Sequence, residues 1–485
     1  MASMPSAGHV RVAIDNAVTD ADFTHTAARS NVVILQEWEK AKLHSLKAAN
    51  PAMKVLMYKN LSSMMDATEN GNAGTGVTMQ EAAVHPDWFL LDTSDHQRFN
   101  FWGYGYLWAA DIGNRSYQDA WAANVGAKLR EDSWDGVFVD DTNPTMQYHY
   151  DVDQVAKYPS DATYSAATGS ALRVIGPLLK AQGKLVIPNF GAWRNYREAV
   201  SSWLPYVSGG MEEQFTKWGN DPSTGYMTGS DWDSQLAVLK ETQAAGKYSL
   251  IVSHSTSQDA GAARYGWATT LLAGTGKASF ALAEDYHGES WFPEYDYDLG
   301  KAVGVETKLS SGVHKRVFER GIVLVNPTLG SVPVSFGSRY RGSGLSLRSS
   351  TTMAPHTGLI LLRGAATANP PVAAGAAPAA APAHAPAAGM QLAAQPVAPS
   401  IAPLASRSTV RPDGRVVVRV RVRCRSAQRC HRVVRVVLGH SAVVGRRKVT
   451  VPARRSARVA IKLNARGRNA LAQGKRLRTL VRAPV

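Results

Sequence analysis

Eight short, continuously apolar segments recur between residues 10 and 283 of this 485-residue chain, and helical patterns separate them. Strands buried on both faces of a parallel sheet are apolar throughout, whereas half-buried strands alternate apolar and polar residues. The stretches between them are amphipathic; Tyr117, Trp121 and Val125, for example, recur every four residues. The segments are VRVAID (10–15), NVVILQ (31–36), KVLMYKN (54–60), GVFVDD (136–141), KLVIPNF (184–190), YVSGGMEEQF (206–215), YSLIVSH (248–254) and KASFALA (277–283). Eight such units predict an α/β fold, a (β/α)8 TIM barrel over residues 8–305.

An open, doubly wound sheet is the alternative arrangement for alternating strands and helices. Its dinucleotide-binding form carries a G-x-G-x-x-G loop directly after the first strand. No such loop follows residues 10–15, so the sequence favours the barrel.

The chain changes character after the predicted barrel. Residues 306–363 contain short strand patterns with Gly and Pro turns and no helical pattern, which predicts a small antiparallel β-domain. Ala and Pro make up most of residues 364–406, a composition typical of an extended linker. Beyond the linker, valines alternate with arginines, so we predict a basic β-sandwich module over residues 407–485.

Positive charge is concentrated in this last module. Residues 407–485 contain 23 Lys and Arg and a single acid, Asp413, whereas the whole chain has a net charge of +16. The first 406 residues therefore sum to about −6. We expect the module to bind an anionic cell-wall or extracellular polymer; nucleic acid is disfavoured because the arginines are not interleaved with base-stacking aromatic residues.

The two cysteines and the lengths of the apolar segments indicate the cellular location of the protein. Cys424 and Cys430 lie close together in the basic module, which predicts a local disulfide and an oxidising environment. No apolar run reaches the roughly 20 residues that span a bilayer, and the N-terminus has no apolar signal core. We therefore expect a secreted or cell-surface protein whose signal peptide is not part of this chain.

Polar residues end most of the apolar segments. Active sites of (β/α)8 barrels lie at the C-terminal ends of the strands, so these residues are candidate site residues, although ion pairs and helix caps use the same residue types. The residues expected to bind substrate at these ends are Asp15, Lys59, Asn60, Asp141, Asn189, His254, Glu284 and Asp285.

GVFVDD (136–141) places two adjacent carboxylates after four apolar residues, which is costly without a purpose. Alternation puts Phe138 and Asp140 on one face of the strand and Asp141 on the other. We predict that Asp140 points into the barrel mouth. The alternative is that either aspartate caps the following helix or holds a loop.

GGMEEQF (209–215) supplies a second carboxylate, from Glu212 or Glu213. One of them would complete a pair with Asp140, and the sequence leaves open which. Two carboxylates that flank one bond are the minimum apparatus for glycoside hydrolysis: one donates a proton, and the other attacks the anomeric carbon or activates water. An exposed acidic loop is the alternative.

An aromatic-rich insert between the third and fourth strands includes Trp102 and Trp108, and Trp193 follows the fifth strand. The apolar C–H faces of sugar rings stack on such side chains, so we predict that these residues bind carbohydrate; a local hydrophobic core of the insert is the alternative. The chain has no H-E-x-x-H, G-x-S-x-G or Walker motif. We expect neither a metal nor a cofactor.

GVFVDD, GGMEEQF and WAADIGNRSYQDAW (108–121) together resemble the hypothetical glycosyl-hydrolase-like family 15 over roughly residues 10–300. The resemblance implies a (β/α)8 enzyme with Asp140 as nucleophile and Glu212 or Glu213 as acid/base. Asp111, which lies in the third of these segments, is also expected to bind substrate. We therefore expect a retaining glycoside hydrolase that acts on a polysaccharide. The alternative is a catalytically inactive, carbohydrate-binding surface protein.

Overall fold

A computed structural model of the chain describes residues 6–14, 23–66, 74–101, 104–150, 154–286, 288–364, 404–410, 416–423, 430–438, 442–451, 456–463 and 477–482. Asp15, Trp102 and Cys424 lie outside the described residues, as does most of the predicted linker, and only the backbone of Cys430 is described. The chain forms two compact units, one of residues 1–101 and 105–369 and the other of residues 102–104 and 370–485.

Eight parallel strands form the centre of the first unit. They are β1 (Gly8–Ala13), β2 (Val32–Leu35), β3 (Lys54–Asn60), β4 (Gly136–Asp140), β5 (Leu185–Pro188), β6 (Gly209–Glu212), β7 (Tyr248–His254) and β8 (Ala278–Ala283). Their order in the sheet is β5-β4-β3-β2-β1-β8-β7-β6. A parallel bridge between Asn189 and Met211 joins β5 to β6 and closes the ring. This closed sheet confirms the predicted TIM barrel and excludes the open doubly wound alternative.

Helices follow or separate the strands. They are α1 (Thr26–Arg29), α2 (Lys40–Ala49), α3 (Met79–Ala82), α4 (Arg115–Arg130), α5 (Asp161–Lys180), α6 (Arg197–Trp203), α7 (Gly229–Ala244) and α8 (Ala260–Ala273), with 3₁₀ turns at Pro86–Trp88, Met146–Tyr148, Trp193–Tyr196, Leu204–Tyr206 and Pro293–Asp296. The Asn114 side chain caps α4, and Ser160 and Thr163 form a capping box at α5. Within the described residues, no helix is both long and apolar enough to cross a membrane.

Side chains alternate between the inside and the outside of the barrel. A buried cluster inside the ring contains Val10, Val12, Val32, Ile34, Leu56, Phe138, Ile187, Met211, Leu250, Val252 and Ala283. Side chains in a strand alternate between its two faces. On each strand, the residue two positions after the last member of this cluster therefore also faces inward. That position is Tyr58 on β3, Asp140 on β4, Asn189 after β5, Glu213 after β6 and His254 on β7. The barrel mouth is thereby lined with polar groups.

An insert between β3 and β4 carries a small antiparallel sheet. Its strands are Ser63–Met65, Asn100–Phe101 and Tyr104–Ala109. Met64 pairs with Trp108 across the first and third of these strands. Trp88, Phe89 and Phe101 are buried, so much of the aromatic content of the insert forms its own apolar core.

Six antiparallel strands follow the barrel in the first unit. They are β9 (Thr307–Lys308), β10 (His314–Val317), β11 (Gly321–Asn326), β12 (Val332–Gly342), β13 (Leu345–Met353) and β14 (Thr357–Arg363), in the order β9-β10-β11-β14-β12-β13. Val323 and Ile360 of this sheet share a buried cluster with Trp267 and Leu271 of α8. Gly358 allows the contact, because a Cβ there would collide with the Arg264 carbonyl. The predicted antiparallel β-domain is confirmed.

The described residues of the second unit form six further strands. They are β15 (Leu404–Val410), β16 (Val416–Arg423), β17 (Cys430–Leu438), β18 (Ala442–Val451), β19 (Ser456–Lys462) and β20 (Leu477–Arg482). They form two antiparallel three-stranded sheets, β15-β16-β19 and β18-β17-β20. Ile461 and Leu463 are buried. Two antiparallel sheets agree with the predicted β-sandwich.

Candidate active site

Asp140 and Glu213 lie on either side of the Asn189 side-chain amide at the barrel mouth. The amide nitrogen donates to Asp140 Oδ1 at 2.9 Å and to Glu213 Oε2 at 3.0 Å. The two hydrogens of an amide diverge by roughly 120°, so the two acceptor oxygens lie roughly 5 Å apart and no more than about 6 Å apart. Strands β4, β5 and β6 thus bring two carboxylates within reach of a single bond.

The second oxygen of each acid accepts a hydrogen bond from a tyrosine. The Tyr58 hydroxyl donates to Asp140 Oδ2 at 2.6 Å. The Tyr286 hydroxyl donates to Glu213 Oε1 and lies 3.2 Å from His254 Nε2. Because that hydroxyl has one proton, it accepts from His254 Nε2–H when it donates to Glu213. Burial lowers the pKa of His254, which agrees with a neutral ring that is protonated at Nε2.

Asp140 holds its proton more tightly than an ordinary aspartate. Loss of hydration raises its pKa to about 7, and the negative charges of Asp141 and Glu213 add to the effect. The hydrogen bonds from Tyr58 and Asn189 favour the ionised form, but they offset only part of this rise in pKa. Near neutral pH the site therefore exchanges a proton at this carboxyl group.

Asp141 has the opposite character and is held in an unusual backbone conformation. Its φ is +51°, a left-handed value that is uncommon for a residue other than glycine. His149 Nε2 lies 2.6 Å from its Oδ1, and Asn60 Nδ2 donates to its Oδ2. Burial would raise the pKa of Asp141, but the charge and hydrogen bond of His149 and the bond from Asn60 outweigh burial and lower the pKa. Asp141 is therefore an ionised partner of His149.

His149 is the charge that compensates Asp141 beside the carboxylate pair. Burial lowers the pKa of His149. The attraction of Asp141, together with that of Asp140 and Glu213, outweighs the effect of burial, so the net shift of the pKa is upward. Its ring stacks on Phe101 at 4.1 Å between centroids and 11° between planes. The insert thus fixes the position of a cationic group next to the site.

We expect His149→Gln to move the limb of the pH–activity profile that reports Asp140 to higher pH. Without the imidazolium, the negative charge of Asp141 acts uncompensated on Asp140 and raises its pKa further. The measurement is kcat/KM against pH. His44→Gln is the matched control, since His44 also lies 2.6 Å from an aspartate, Asp132, but on the exterior. An unmoved profile, or an equal shift in the control, contradicts the expectation.

Glu212 faces away from the barrel interior. Its carboxylate accepts from the backbone N–H groups of Arg194 at 3.0 Å and Gln214 at 3.1 Å, and it lies 3.6 Å from the Arg194 guanidinium. Burial raises its pKa to about 7 despite these partners. The structure therefore places Glu213 beside Asp140 and gives Glu212 the contacts of a residue that ties together the loops after β5 and β6.

The structure brings some of the other predicted residues to the carboxylate pair. Asn189 and His254 contact the pair directly or through Tyr286. Asn60 holds Asp141. These side chains share one end of the barrel, as their places at strand ends predict.

Other predicted residues make contacts away from the carboxylate pair. Lys59 is buried and bonds to Glu37 and to the Thr75 carbonyl. Asp111 is buried and accepts from Lys157 and Tyr158. Trp193 is buried against Phe190, and Trp108 is half-buried in the insert. Glu284 and Asp285 are both exposed, and Glu284 accepts a hydrogen bond from the Ser257 N–H.

Sequence reasoning missed three residues of the site: Tyr58, His149 and Tyr286. Tyr58 had a usable signal, because it lies two residues after Leu56 and so faces the same side of β3. His149 and Tyr286 lie in loops after β4 and β8, where no periodicity indicates the direction of a side chain. Their roles follow only from the contacts.

Comparison with known proteins gives one family match and several structural likenesses. The sequence model of the hypothetical glycosyl hydrolase family 15 matches residues 47–322. The chain is similar in structure to the glycoside hydrolase domain of PelA from Pseudomonas aeruginosa (15% identity, 60% of this chain and 97% of that one, TM-score 0.37) and to Ega3 from Aspergillus fumigatus in complex with galactosamine (11%, 60% and 94%, 0.37). It is also similar to the maltogenic α-amylase AmyB from Thermotoga neapolitana (11%, 73% and 98%, 0.41). No curated protein matches the sequence. The family match covers more than half of the chain and includes both carboxylates of the pair.

Proposed function

Since the chain belongs to the hypothetical glycosyl hydrolase family 15, we propose that it is a secreted, retaining glycoside hydrolase that cleaves O-glycosidic bonds of a polysaccharide. Asp140 and Glu213 are its two carboxylates in this proposal. The observation that carries it is the Asn189 amide shared between them.

The separation of the two acids favours retention of configuration. Retaining enzymes have carboxyl groups about 5–5.5 Å apart, whereas inverting enzymes need about 6.5–9.5 Å to admit a water molecule. An amide nitrogen that bonds to both groups holds them near the shorter distance. In this geometry the second carboxylate reaches the anomeric carbon itself, so a covalent glycosyl-enzyme is the expected intermediate.

Asp140 acts as nucleophile and Glu213 as acid/base in the proposed reaction. Glu213 gives its proton to the leaving oxygen while Asp140 attacks the anomeric carbon. Glu213 then removes a proton from water, which attacks the same carbon and releases Asp140. The Asn189 and Tyr58 hydrogen bonds orient Asp140 and stabilise it as the leaving carboxylate. The His254–Tyr286 chain orients Glu213.

One observation favours the opposite assignment of roles. Burial raises the pKa of Asp140 to about 7, so before a sugar binds about half of the molecules hold a proton on this group at neutral pH, and a general acid must hold one. A second carboxylate, Glu213, would then attack. The two assignments use the same pair and predict different products in azide-rescue experiments.

The test combines a substrate screen with product configuration. Wild type, Asp140→Ala and Glu213→Ala are incubated with α-linked galactosaminyl, galactosyl and glucosyl polymers, and NMR identifies the anomer released first. Azide is then added to each variant with an aryl glycoside of the sugar that is cleaved. Retained glycosyl azide from Glu213→Ala and inverted azide from Asp140→Ala support the proposed roles; the reverse supports the opposite assignment. Binding of a polymer without turnover would instead support the inactive carbohydrate-binding alternative.

We also propose that the C-terminal module binds an anionic polymer outside the cell. In the first of its sheets the register pairs Arg407 with Arg419 and Arg421 with Arg458. Repulsion among the cations of one module opposes its compact state, and a bound anionic polymer would relieve that repulsion. The single acid after residue 406, Asp413, cannot neutralise 23 cations.

We expect the full chain to bind wall teichoic acid with an affinity that falls at least about tenfold between 50 and 200 mM salt, because binding to several charges releases several counterions. The variant Arg419→Gln/Arg421→Gln should bind more weakly and with a shallower salt dependence. Arg339→Gln/Arg348→Gln, in the antiparallel β-domain, is the charge-matched control. Binding that is insensitive to salt, or equally weakened in the control, would refute the assignment, and tighter binding to duplex DNA would point to a different partner.

A further inference from the structure

Trp218 exposes an indole at the rim of the barrel mouth. The residue is 45% exposed, and the other tryptophans that the structure describes are buried or half-buried. It lies in the loop after β6, five residues beyond Glu213. An indole that is nearly half exposed in this loop offers apolar surface to a ligand of the cleft.

A chain of contacts joins Trp218 to the carboxylate pair. The indole meets the His254 ring edge-on, at 4.4 Å between centroids and 65° between planes. His254 Nε2 bonds to the Tyr286 hydroxyl, which donates to Glu213. The exposed ring is therefore part of the same wall of the cleft as Glu213.

The loop that carries Trp218 is held rigidly. The Trp218 N–H donates to the Gly225 carbonyl at 3.0 Å, and the Gly219 N–H donates to the His254 carbonyl at 3.2 Å. Gly225 has a φ of +78°, and a Cβ there would collide with the Trp218 carbonyl. An exposed side chain on a pinned backbone loses little freedom when it binds a ligand.

A buried lysine pins the same loop from below. Lys217 is fully buried, and its ammonium donates to the Gly219 and Asp221 carbonyls and lies 5.1 Å from the centre of the Tyr226 ring. Burying an ammonium group that bonds to carbonyls rather than to a carboxylate is costly. In return, the two hydrogen bonds of the ammonium group hold the loop in a single conformation.

We infer that Trp218 is the stacking platform for a sugar unit of the substrate next to the scissile linkage, on the Glu213 side of the cleft. The inference rests on the proposed function. A pyranose presents apolar C–H groups on one face and hydroxyls around its rim, so it covers an indole face while its hydroxyls stay hydrated. With Glu213 as acid/base, this unit belongs to the leaving group. The substrate is then an oligomer or polymer rather than a simple monoglycoside.

The test measures binding in the full chain with Glu213→Gln present, so that turnover does not interfere. The probes are the soluble α-linked galactosaminyl, galactosyl and glucosyl polymers. For any polymer that binds, Trp218→Ala should weaken the Kd roughly tenfold, and Trp218→Phe should recover most of the loss. Bound polymer should also protect tryptophan fluorescence from iodide quenching, and this protection should disappear in Trp218→Phe. Leu329→Ala, at an exposed apolar residue of the β-domain, is the control and should bind normally.

The outcomes separate this inference from the proposed function. Hydrolysis or binding of a polymer that is unchanged in Trp218→Ala overturns the platform and leaves the proposed function standing. If the wild type neither binds nor cleaves any of the three polymers, both fall. Weakened binding in Trp218→Ala with an unchanged melting temperature supports the platform.

Discussion

Asp140→Asn is expected to lower kcat at least about 10³-fold, because the amide can neither form the glycosyl-enzyme nor exchange a proton. The substitution preserves the size of the side chain. The amide oxygen can still accept from Asn189, and the new NH₂ can donate to the Tyr58 hydroxyl oxygen, so the barrel mouth should keep its shape. The measurement is the initial rate on the polymer that the wild type cleaves.

The same substitution should stabilise the protein at neutral pH. The folded-state pKa of Asp140, about 7, is above its ordinary value of 3.8, so the folded state binds the proton more tightly than the unfolded state. The stability from that proton is present below about pH 4 and is lost as the pH rises through about 7. An asparagine has no such loss. The melting temperature of Asp140→Asn should therefore exceed that of the wild type by an amount that grows from pH 4 to pH 7.

Asp231→Asn provides the control for both measurements, since Asp231 is an exposed aspartate in the first turn of α7. It should leave activity and the pH dependence of melting essentially unchanged. An Asp140→Asn variant that retains more than about a tenth of the activity would remove Asp140 from the chemistry. A melting difference that is constant with pH would show that its carboxyl group titrates normally in the folded protein.

Glu213→Gln and Glu212→Gln should separate chemistry from stability, although the two residues are adjacent. Glu213→Gln is expected to lower kcat by about 10²–10⁴-fold, the usual contribution of a general acid, with little change in melting temperature. Glu212→Gln should lower the free energy of unfolding by about 1–3 kcal/mol, because the new amide NH₂ would face the backbone donor of Arg194 or Gln214. Its kcat should stay close to that of the wild type.

Each variant is the control for the other. Both replace a glutamate by glutamine, and they differ only in whether the side chain faces the barrel mouth or faces away from it. The measurements are kcat on the cleaved polymer and denaturant unfolding. A loss of kcat in Glu212→Gln that equals the loss in Glu213→Gln would contradict the different roles assigned to the two sides of β6. A loss of stability confined to Glu213→Gln would reverse them.

Periodicity explains why Asp140 was predictable and the choice of glutamate was not. In GVFVDD the residue Phe138 is large, apolar and an unambiguous guide to the inward face, and Asp140 follows it by two. In VSGGME the two positions before Met211 are Gly209 and Gly210, which have no side chain to mark a face, so Met211 is a single apolar guide. Met211 faces inward in the folded barrel, and this observation, together with the hydrogen bonds from Asn189 and Tyr286, assigns Glu213 to the mouth.

The amino-acid sequence by itself determined the eight strands, the polar groups at their ends, the antiparallel β-domain and the basic module, because strand burial and alternation are local properties. The tertiary structure decided how those ends meet. Closure of the ring between β5 and β6 places Asn189 between Asp140 and Glu213, and loops after β4 and β8 bring in His149 and Tyr286. Distances across a barrel depend on strand order and loop paths, and no local pattern along the chain encodes them.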